Sequence, residues 1–372
     1  MFSDNYSGTR VLLTGDTGFK GTWLALWLRK LGAEVYGLSL PPENDSTLFV
    51  RTGLGDLVKH IDGDIRDLRN IEEVFRISRP NIVFHLAAQA LVRESFRDPV
   101  GTILTNVVGT AHICDALRRY EAPCALVVVT SDKCYENHEW VFGYRENDSM
   151  GGADPYSASK GAAELLTSSW RRSFLPREKM NQHQKPVATA RAGNAIGPGD
   201  WARDRIVPDA VRALLAKEPI IVRHPNSIRP WQHVLEPLAG YLCLGAKLLS
   251  SNPVDFADRW NFGPLPGSVR YVKDLVDQFI IAWGEGTWVR ASKIESPSEA
   301  QTLRLVIDKA VAHLNWFPVW GFGETIRRTA EGYRRINDCW DHPNAVRGVI
   351  EDEIALYTKA ANSIDVAWAQ KS

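Results

Sequence analysis

The sequence carries no excess charge of either sign: 44 Lys and Arg balance 44 Asp and Glu across 372 residues. Nucleic-acid binders rely on a basic surplus to meet phosphates, so that class is disfavoured. Any anionic ligand must be met by charge gathered locally. Long apolar runs are also missing. No stretch nears 18 uninterrupted apolar residues, which argues against a membrane partner, and the opening MFSDNYSGTR has no apolar core of the kind a secretory leader needs. Cysteine is scarce. Cys114, Cys124, Cys134, Cys243 and Cys339 are odd in number, scattered and without a CxxC pair. That excludes a disulfide framework and a zinc-ligand spacing, leaves no metal site to expect, and points to reduced thiols in a cytoplasmic protein. Aromatics are plentiful, with 13 Trp, 13 Phe and 10 Tyr, enough to bury a core that a disordered chain could not build. The length fits one large domain or two closely joined ones.

Apolar strands alternate with helix-length segments through the first half. Strands are expected at Arg10–Thr14, Glu34–Leu38, Val58–Ile61, Asn81–Leu86, Ala125–Ser131 and Val187–Arg191, and helices at Phe19–Leu31, Asp67–Ser78, Val100–Tyr120 and Pro155–Phe174. This rhythm predicts an α/β fold of Rossmann type, a doubly wound parallel sheet covered on both faces. Beyond Ala192 the alternation stops and Gly and Pro become frequent (GNAIGPGD, IRPWQHV, NFGPLPG). The expectation is a sheet domain over residues 1–192 and a smaller, mixed lobe over 193–358, with a soft and interleaved boundary. Residues 359–372 are polar and weakly patterned, so a frayed tail is expected.

Two motifs carry chemistry. Thr14-Gly15-Asp16-Thr17-Gly18-Phe19-Lys20-Gly21 follows the first strand and opens the first helix. Its glycines let the backbone approach a pyrophosphate and aim helix N–H groups at it, and the strand–turn–helix context separates it from an ordinary tight turn. Tyr156-Ser157-Ala158-Ser159-Lys160 places Tyr and Lys on one helix face. A nearby ammonium favours the phenolate, so Tyr156 is expected to titrate well below 10 and serve as a general base. Trp23 and Trp27, at helical spacing, read as core.

Together these motifs, with HLAAQ (His85–Gln89) and RPWQHV (Arg229–Val234), resemble the extended short-chain dehydrogenase/reductase family over nearly the whole chain. The resemblance implies NAD as cofactor. Gly15, Gly18, Phe19 and Gly21 would line its pyrophosphate, Asp64 and Ile65 its adenine, and Leu86, Ala87 and Ala88 would flank it. Tyr156 and Lys160 would hold the nicotinamide ribose. One departure stands out. The second strand ends Tyr36-Gly37-Leu38-Ser39, without the acid that normally binds the ribose 2′-hydroxyl. Ser39 could supply a weaker hydrogen bond, so NAD is expected to bind more loosely than in acid-bearing relatives.

Thr130-Ser131-Asp132-Lys133-Cys134-Tyr135 lies just past the strongest strand, where parallel sheets bind ligands. It resembles the sugar-nucleotide 4,6-dehydratases, and with Lys133 in the third position the branch acting on CDP-D-glucose. The resemblance implies a hydro-lyase cycle. Tyr156 takes the O4 proton as hydride leaves C4, with Thr130 bonding near O4 and Lys160 supporting the phenolate. Lys133 then removes the C5 proton, Asp132 protonates the departing C6 hydroxyl, and hydride returns to C6. The alternative in which Asp132 does both jobs stays open. Gln89, Arg93, Ser95, Asn194, Trp201, Arg203 and Arg229 are the candidate substrate contacts, with the arginines able to clamp a diphosphate. The product would feed deoxyhexose synthesis for bacterial surface polysaccharide such as O-antigen. The Val100–Tyr120 and Pro155–Phe174 helices would pair into a homodimer or tetramer. Three other readings remain: a dehydratase of another nucleotide sugar, a 4-epimerase, or a silent NAD-binding interaction protein.

Overall fold

The computed structural model describes residues 2–292 and 302–370. Its centre is a sheet of seven parallel strands: β1 (Arg10–Thr14), β2 (Glu34–Ser39), β3 (Lys59–Asp62), β4 (Ile82–His85), β5 (Ala125–Val129), β6 (Val187–Ala192) and β7 (Arg259–Phe262). The spatial order is β7-β6-β5-β4-β1-β2-β3. The chain therefore winds outward from β1 to β3, then returns to build the other half from β4. That reversal opens a crevice between the carboxyl ends of β1 and β4. There Thr14 pairs with His85 in register, and Thr14 Oγ1 and His85 Nδ1 are 2.7 Å apart. Burial pushes the imidazole down to about 3, so it stays neutral and bridges Thr14 to Thr110.

Both faces of the sheet are apolar, as a parallel sheet requires. Val11, Leu13, Val127 and Val129 point to one side, where they meet Trp23 and Trp27 of α1 (Phe19–Lys30) and Leu238 and Leu242 of α5 (Leu235–Leu248). Leu12, Leu126 and Val128 point to the other, against Ile71 and Phe75 of α2 (Leu68–Ser78), Ile113 and Leu117 of α3 (Pro99–Arg119) and Leu166 of α4 (Pro155–Ser173). By length and composition alone α3 could cross a membrane; here it lies against α2 and α4. A π-type turn at Leu104–Val108 widens it beside the cleft.

All six strands expected in the first half form, within two residues at each end. The seventh was not foreseen. β7 and α5 come from beyond residue 192 and complete the sheet layer, so the two parts of the chain interleave. Part of the later segment packs a separate apolar cluster from Val207, Val211, Ile220, Leu275, Phe279 and Tyr333, while Trp316, Ile350 and Tyr357 join the core beneath the sheet. The expectation of a frayed tail is corrected as far as residue 370. The helix Pro343–Ser363 runs through Lys359, and Trp368 is buried, stacked 4.8 Å from Phe2 and 5.8 Å from Tyr357. A Trp that buries this much apolar surface anchors its segment despite the weak pattern around it. Residues 371–372 lie outside the described residues.

Candidate active site

The turn between β1 and α1 is built for close approach. Gly15 has φ +86°, and a Cβ there would lie 2.7 Å from Ala87 N; one at Gly21 would lie 1.9 Å from the Gly15 carbonyl oxygen. Only glycine fits either place. Gly18 caps α1 without a side chain, leaving helix N–H groups open to an anion. Phe19 is partly buried against the core, and Leu86, Ala87 and Ala88 leave β4 directly opposite. Ala87 N donates to Thr14 Oγ1 at 3.2 Å, which locks the two sides of the crevice together. These residues form a cradle that suits a dinucleotide pyrophosphate. At the end of β3, Asp64 is gripped by the Arg66 guanidinium (2.8 and 2.5 Å), which holds its carboxyl below the usual range, and Ile65 is buried beneath Gly109.

Helix α4 presents the Tyr–Lys pair. Asp154 caps it by accepting from Ser157 N at 2.9 Å, and Pro155 begins the first turn. Tyr156 and Lys160 are both buried. Burial pushes Tyr156 up to about 12, opposed by a hydrogen bond from Ser131, and pushes Lys160 down to about 8 with help from the Lys20 charge. This corrects the expectation that Lys160 draws the phenol towards neutrality. In the protein alone, desolvation outweighs the contributions that lower it.

Asn106, on the widened turn of α3, ties the cleft together. Its amide donates to Gln89 O (3.0 Å) and Ser159 Oγ (2.9 Å) while its oxygen accepts from Gln89 N (2.8 Å). It was missed because a lone Asn inside an apolar helix carries no sequence signal.

Beyond β5 the structure separates Thr130 from Ser131. The Thr130 hydroxyl donates to Glu164 at 2.5 Å inside a buried cluster where Glu164 also accepts from Thr189 (2.8 Å) and Arg191 (2.7 Å). With its proton held by Glu164, the Thr130 hydroxyl can accept but is not placed to donate to O4, the role expected of it. Ser131, close enough to Tyr156 to lower its pKa, donates to Asp132 Oδ1 at 3.0 Å and accepts from Lys133 N at 3.2 Å. Asp132 is 2% exposed, and its Oδ2 has no hydrogen-bond partner among the described residues. A Cβ on Gly193 would lie 2.7 Å from that oxygen. Lys133 is half-buried beside it.

Charge gathers here as the neutral composition requires. Lys20, in the first turn of α1, is held down to about 8 by burial and by Arg205, while Asp132 and Asp200 oppose the shift. Arg205 pairs with Asp200 at 2.9 Å and also feels Tyr156. Neither Lys20 nor Arg205 was named from the sequence, although Lys20 lies within the glycine motif itself.

The substrate candidates fare unevenly. Gln89 spends its amide on Leu91 and Thr102. Ser95 is fully buried and donates to Val92 O. Trp201 packs edge-on against Tyr333 and Trp340. In this structure the polar groups of Gln89 and Ser95 are taken up by their own neighbourhoods, while the Trp201 ring is enclosed with its indole nitrogen unpartnered among the described residues. Arg93 pairs with Asp204 at 2.9 Å, and Arg203 is exposed. Asn194 keeps its side chain free of any hydrogen bond among the described residues, and Arg229 is buried on a short strand next to Pro230, which approaches Gly193.

The model of the NAD dependent epimerase/dehydratase family matches residues 11–254, which hold the glycine turn, the Tyr–Lys pair and the Asp132 cluster. The chain belongs to this family. NAD is its cofactor. A CDP-glucose 4,6-dehydratase of Salmonella typhimurium is 44% identical over 336 residues, covering 90% of this chain and 93% of the relative. Two solved structures share the fold. A dTDP-glucose 4,6-dehydratase from Streptomyces venezuelae, with NAD bound, superposes with TM-score 0.73 at 20% identity, covering 90% of this chain and 99% of its own. A UDP-glucose 4-epimerase from Thermus thermophilus, in complex with NAD, gives 0.73 at 25%, covering 87% and 99%.

Proposed function

We propose that the chain is a hydro-lyase that converts CDP-D-glucose to CDP-4-dehydro-6-deoxy-D-glucose and water. The observation that carries this reading is an Asp–Lys pair, Asp132 and Lys133, seated by Ser131 against Tyr156. An epimerase needs a base at O4 but neither an acid for C6 nor a base for C5. The Salmonella typhimurium relative supports the choice of CDP-glucose.

NAD, which the Gly15–Gly21 turn with Tyr156 and Lys160 would hold, would supply a hydride acceptor for C4 and, once reduced, a hydride donor for C6. Around it, Tyr156 takes the O4 proton, and the Lys160 ammonium stabilises its phenolate. Oxidation at C4 makes the C5 proton acidic. Lys133 removes it, and Asp132, buried with one oxygen unpaired among the described residues, delivers a proton to the C6 hydroxyl, which leaves as water; as hydride reaches C6, Lys133 returns its proton to C5. Lys20 and Arg205 hold positive charge against the diphosphate, joined by Asn194 and Arg229 from the second lobe.

Exposed apolar side chains on Val100, Leu104 and Leu165 support pairing of α3 and α4 with a second copy, as a dimer or a tetramer. The cytoplasm, with a product used for surface polysaccharide, fits the same reading.

The test is mass spectrometry of the purified protein with NAD and, separately, CDP-, dTDP-, UDP- and GDP-glucose. Loss of one water from the CDP sugar alone is expected. Loss from another nucleotide discards the choice of base. Isomerised sugar of unchanged mass hands the chain to the epimerases, and no reaction at all leaves a silent NAD-binding protein.

A further inference from the structure

The acid missing from the end of β2 has a counterpart in the glycine turn. Asp16 is fully buried, yet its carboxylate reaches the end of β2. Its Oδ1 accepts the Ser39 hydroxyl at 2.6 Å, and its Oδ2 meets His60 Nδ1 at 2.7 Å. His60 sits on β3, with Asp62 at 3.1 Å on its other nitrogen and the Phe49 ring tilted against it, centroids 5.0 Å apart. Asp16, first among the causes, raises the His60 pKa, so His60 holds its proton against Asp16 more firmly than a free imidazole would. Gly37 completes the slot, because a Cβ there would stand 1.9 Å from Asp16 Oδ2. Three elements thus leave room for one carboxylate, and a buried charge held this well is costly to keep without a use.

The use lies in what Asp16 does to Ser39. A serine hydroxyl has one proton and two lone pairs. The proton goes to Asp16, and among the described residues the one other hydrogen bond on Oγ is a long one from Thr17 N at 3.4 Å. Ser39 is left able to accept and unable to donate. We propose that Asp16 is a positioning and specificity residue for the cofactor, holding Ser39 as an acceptor for the ribose 2′-hydroxyl of NAD and setting a negative charge behind it that repels the 2′-phosphate of NADP. A 2′-hydroxyl has a proton to give. A 2′-phosphate offers only acceptor oxygens and charge, and would face an oxygen with no proton and an anion 2.6 Å beyond it. The carboxylate has moved from strand to turn, and it acts through the serine instead of on the ribose directly. This rests on the cofactor lying over the glycine turn with its adenosine at β2.

The experiment measures NAD and NADP dissociation constants by calorimetry on full-length protein stripped of nucleotide, for wild type, Ser39→Ala, Asp16→Asn, Asp16→Ala and the Ser39→Ala/Asp16→Ala double variant. Asp16→Asn keeps the shape and removes the charge, so the NADP-to-NAD ratio of dissociation constants is expected to fall about tenfold. Asp16→Ala and Ser39→Ala should each weaken NAD about tenfold, and the double variant no further. An unchanged ratio in Asp16→Asn, or single effects on NAD that simply add, overturns the proposal. If Asp16→Ala does not fold, Asp16→Asn alone decides. An NAD constant unmoved by Ser39→Ala shows instead that the adenosine lies elsewhere, which removes the cofactor placement and the proposal with it.

Discussion

The two rims of the cleft are held in different ways. On the cofactor rim, Gly15, Gly21 and Ala87 are fixed by backbone approach, and no side chain could take the glycine positions. On the substrate rim, side chains must be available as well as present. There Gln89, Ser95 and Trp201 are turned to Leu91 and Thr102, to Val92, and to Tyr333 and Trp340. A motif read within one turn of chain tells where the backbone goes. It does not tell which long-range partner will claim a polar group first. The cleft floor between the rims joins both kinds of residue, and it is where variants should separate them most sharply.

Tyr156→Phe should have the largest effect. The substitution keeps the ring and removes only the hydroxyl that reaches Ser131. Loss of the group that accepts the O4 proton should lower turnover by about 10³-fold, within the usual range for a general base. The cradle of Gly15–Gly21 is untouched, so the NAD dissociation constant from calorimetry should stay within about threefold. A matching collapse of NAD affinity would show that the two rims are not independent.

Thr130 and Ser131 offer the next contrast, because adjacent hydroxyls have opposite duties. Thr130→Val keeps the shape and leaves buried Glu164 one donor short, for a stability cost of about 1–3 kcal/mol. Its kcat should stay near wild type. Ser131→Ala should cost about 1 kcal/mol through the lost contact with Lys133 N. It should also lower kcat by about 10- to 100-fold, since Tyr156 and Asp132 both lose their bridge. Chemical denaturation with initial rates separates the two effects. A larger rate loss in Thr130→Val would return the catalytic role to that residue.

The same pair shows what the sequence can and cannot disclose. Strand ends, the glycine turn and the Tyr156–Lys160 spacing were legible because each is set by neighbours within about five residues. Whether Thr130 or Ser131 faces the cleft depends on Glu164, 34 residues further on, and on Arg191 beyond it. The tail was misread for a similar reason. Trp368 lies in a short, weakly patterned stretch of sequence but meets Phe2 and Tyr357 in space. Lys20 was overlooked for a different reason: in a motif read for its glycines, its side chain drew no attention. Asp16 sat in that motif as well, and only the fold brings it to Ser39 and His60.

The attachment of the second lobe should respond to pH in a way the cofactor cradle does not. Glu236, at the start of α5, accepts from Tyr357 (2.6 Å) and from Val319 N and Trp320 N, joining the sheet layer to the C-terminal helices. Burial pushes it up to about 7. A carboxyl raised in the folded state is protonated there while the unfolded chain has already lost its proton. Its stabilising contribution is therefore whole below about 4.5, falls as pH rises to about 7, and is level above that. The difference across the window is on the order of 3 kcal/mol. Glu236→Gln cannot titrate, so urea unfolding should show the gap between variant and wild type changing by this amount from pH 5 to pH 8. A constant gap would mean that Glu236 stays charged in the fold and that the lobe is fastened by other contacts.

The smallest effect tests the comparison from the opposite side. Arg203 and Arg205 are two residues apart, and both have the chemistry to clamp a diphosphate. Arg205 is directed to Asp200 and the surroundings of Tyr156, whereas Arg203 is exposed. Arg203→Ala should leave KM for the nucleotide sugar within about twofold and stability within about 0.5 kcal/mol, as at most exposed sites. Initial rates at varied substrate would check it. A tenfold rise in KM would mean that the segment around Arg203 closes over the bound nucleotide sugar. The substrate rim would then be assembled by the ligand, and the side-chain partners seen in the free protein would describe only its open state.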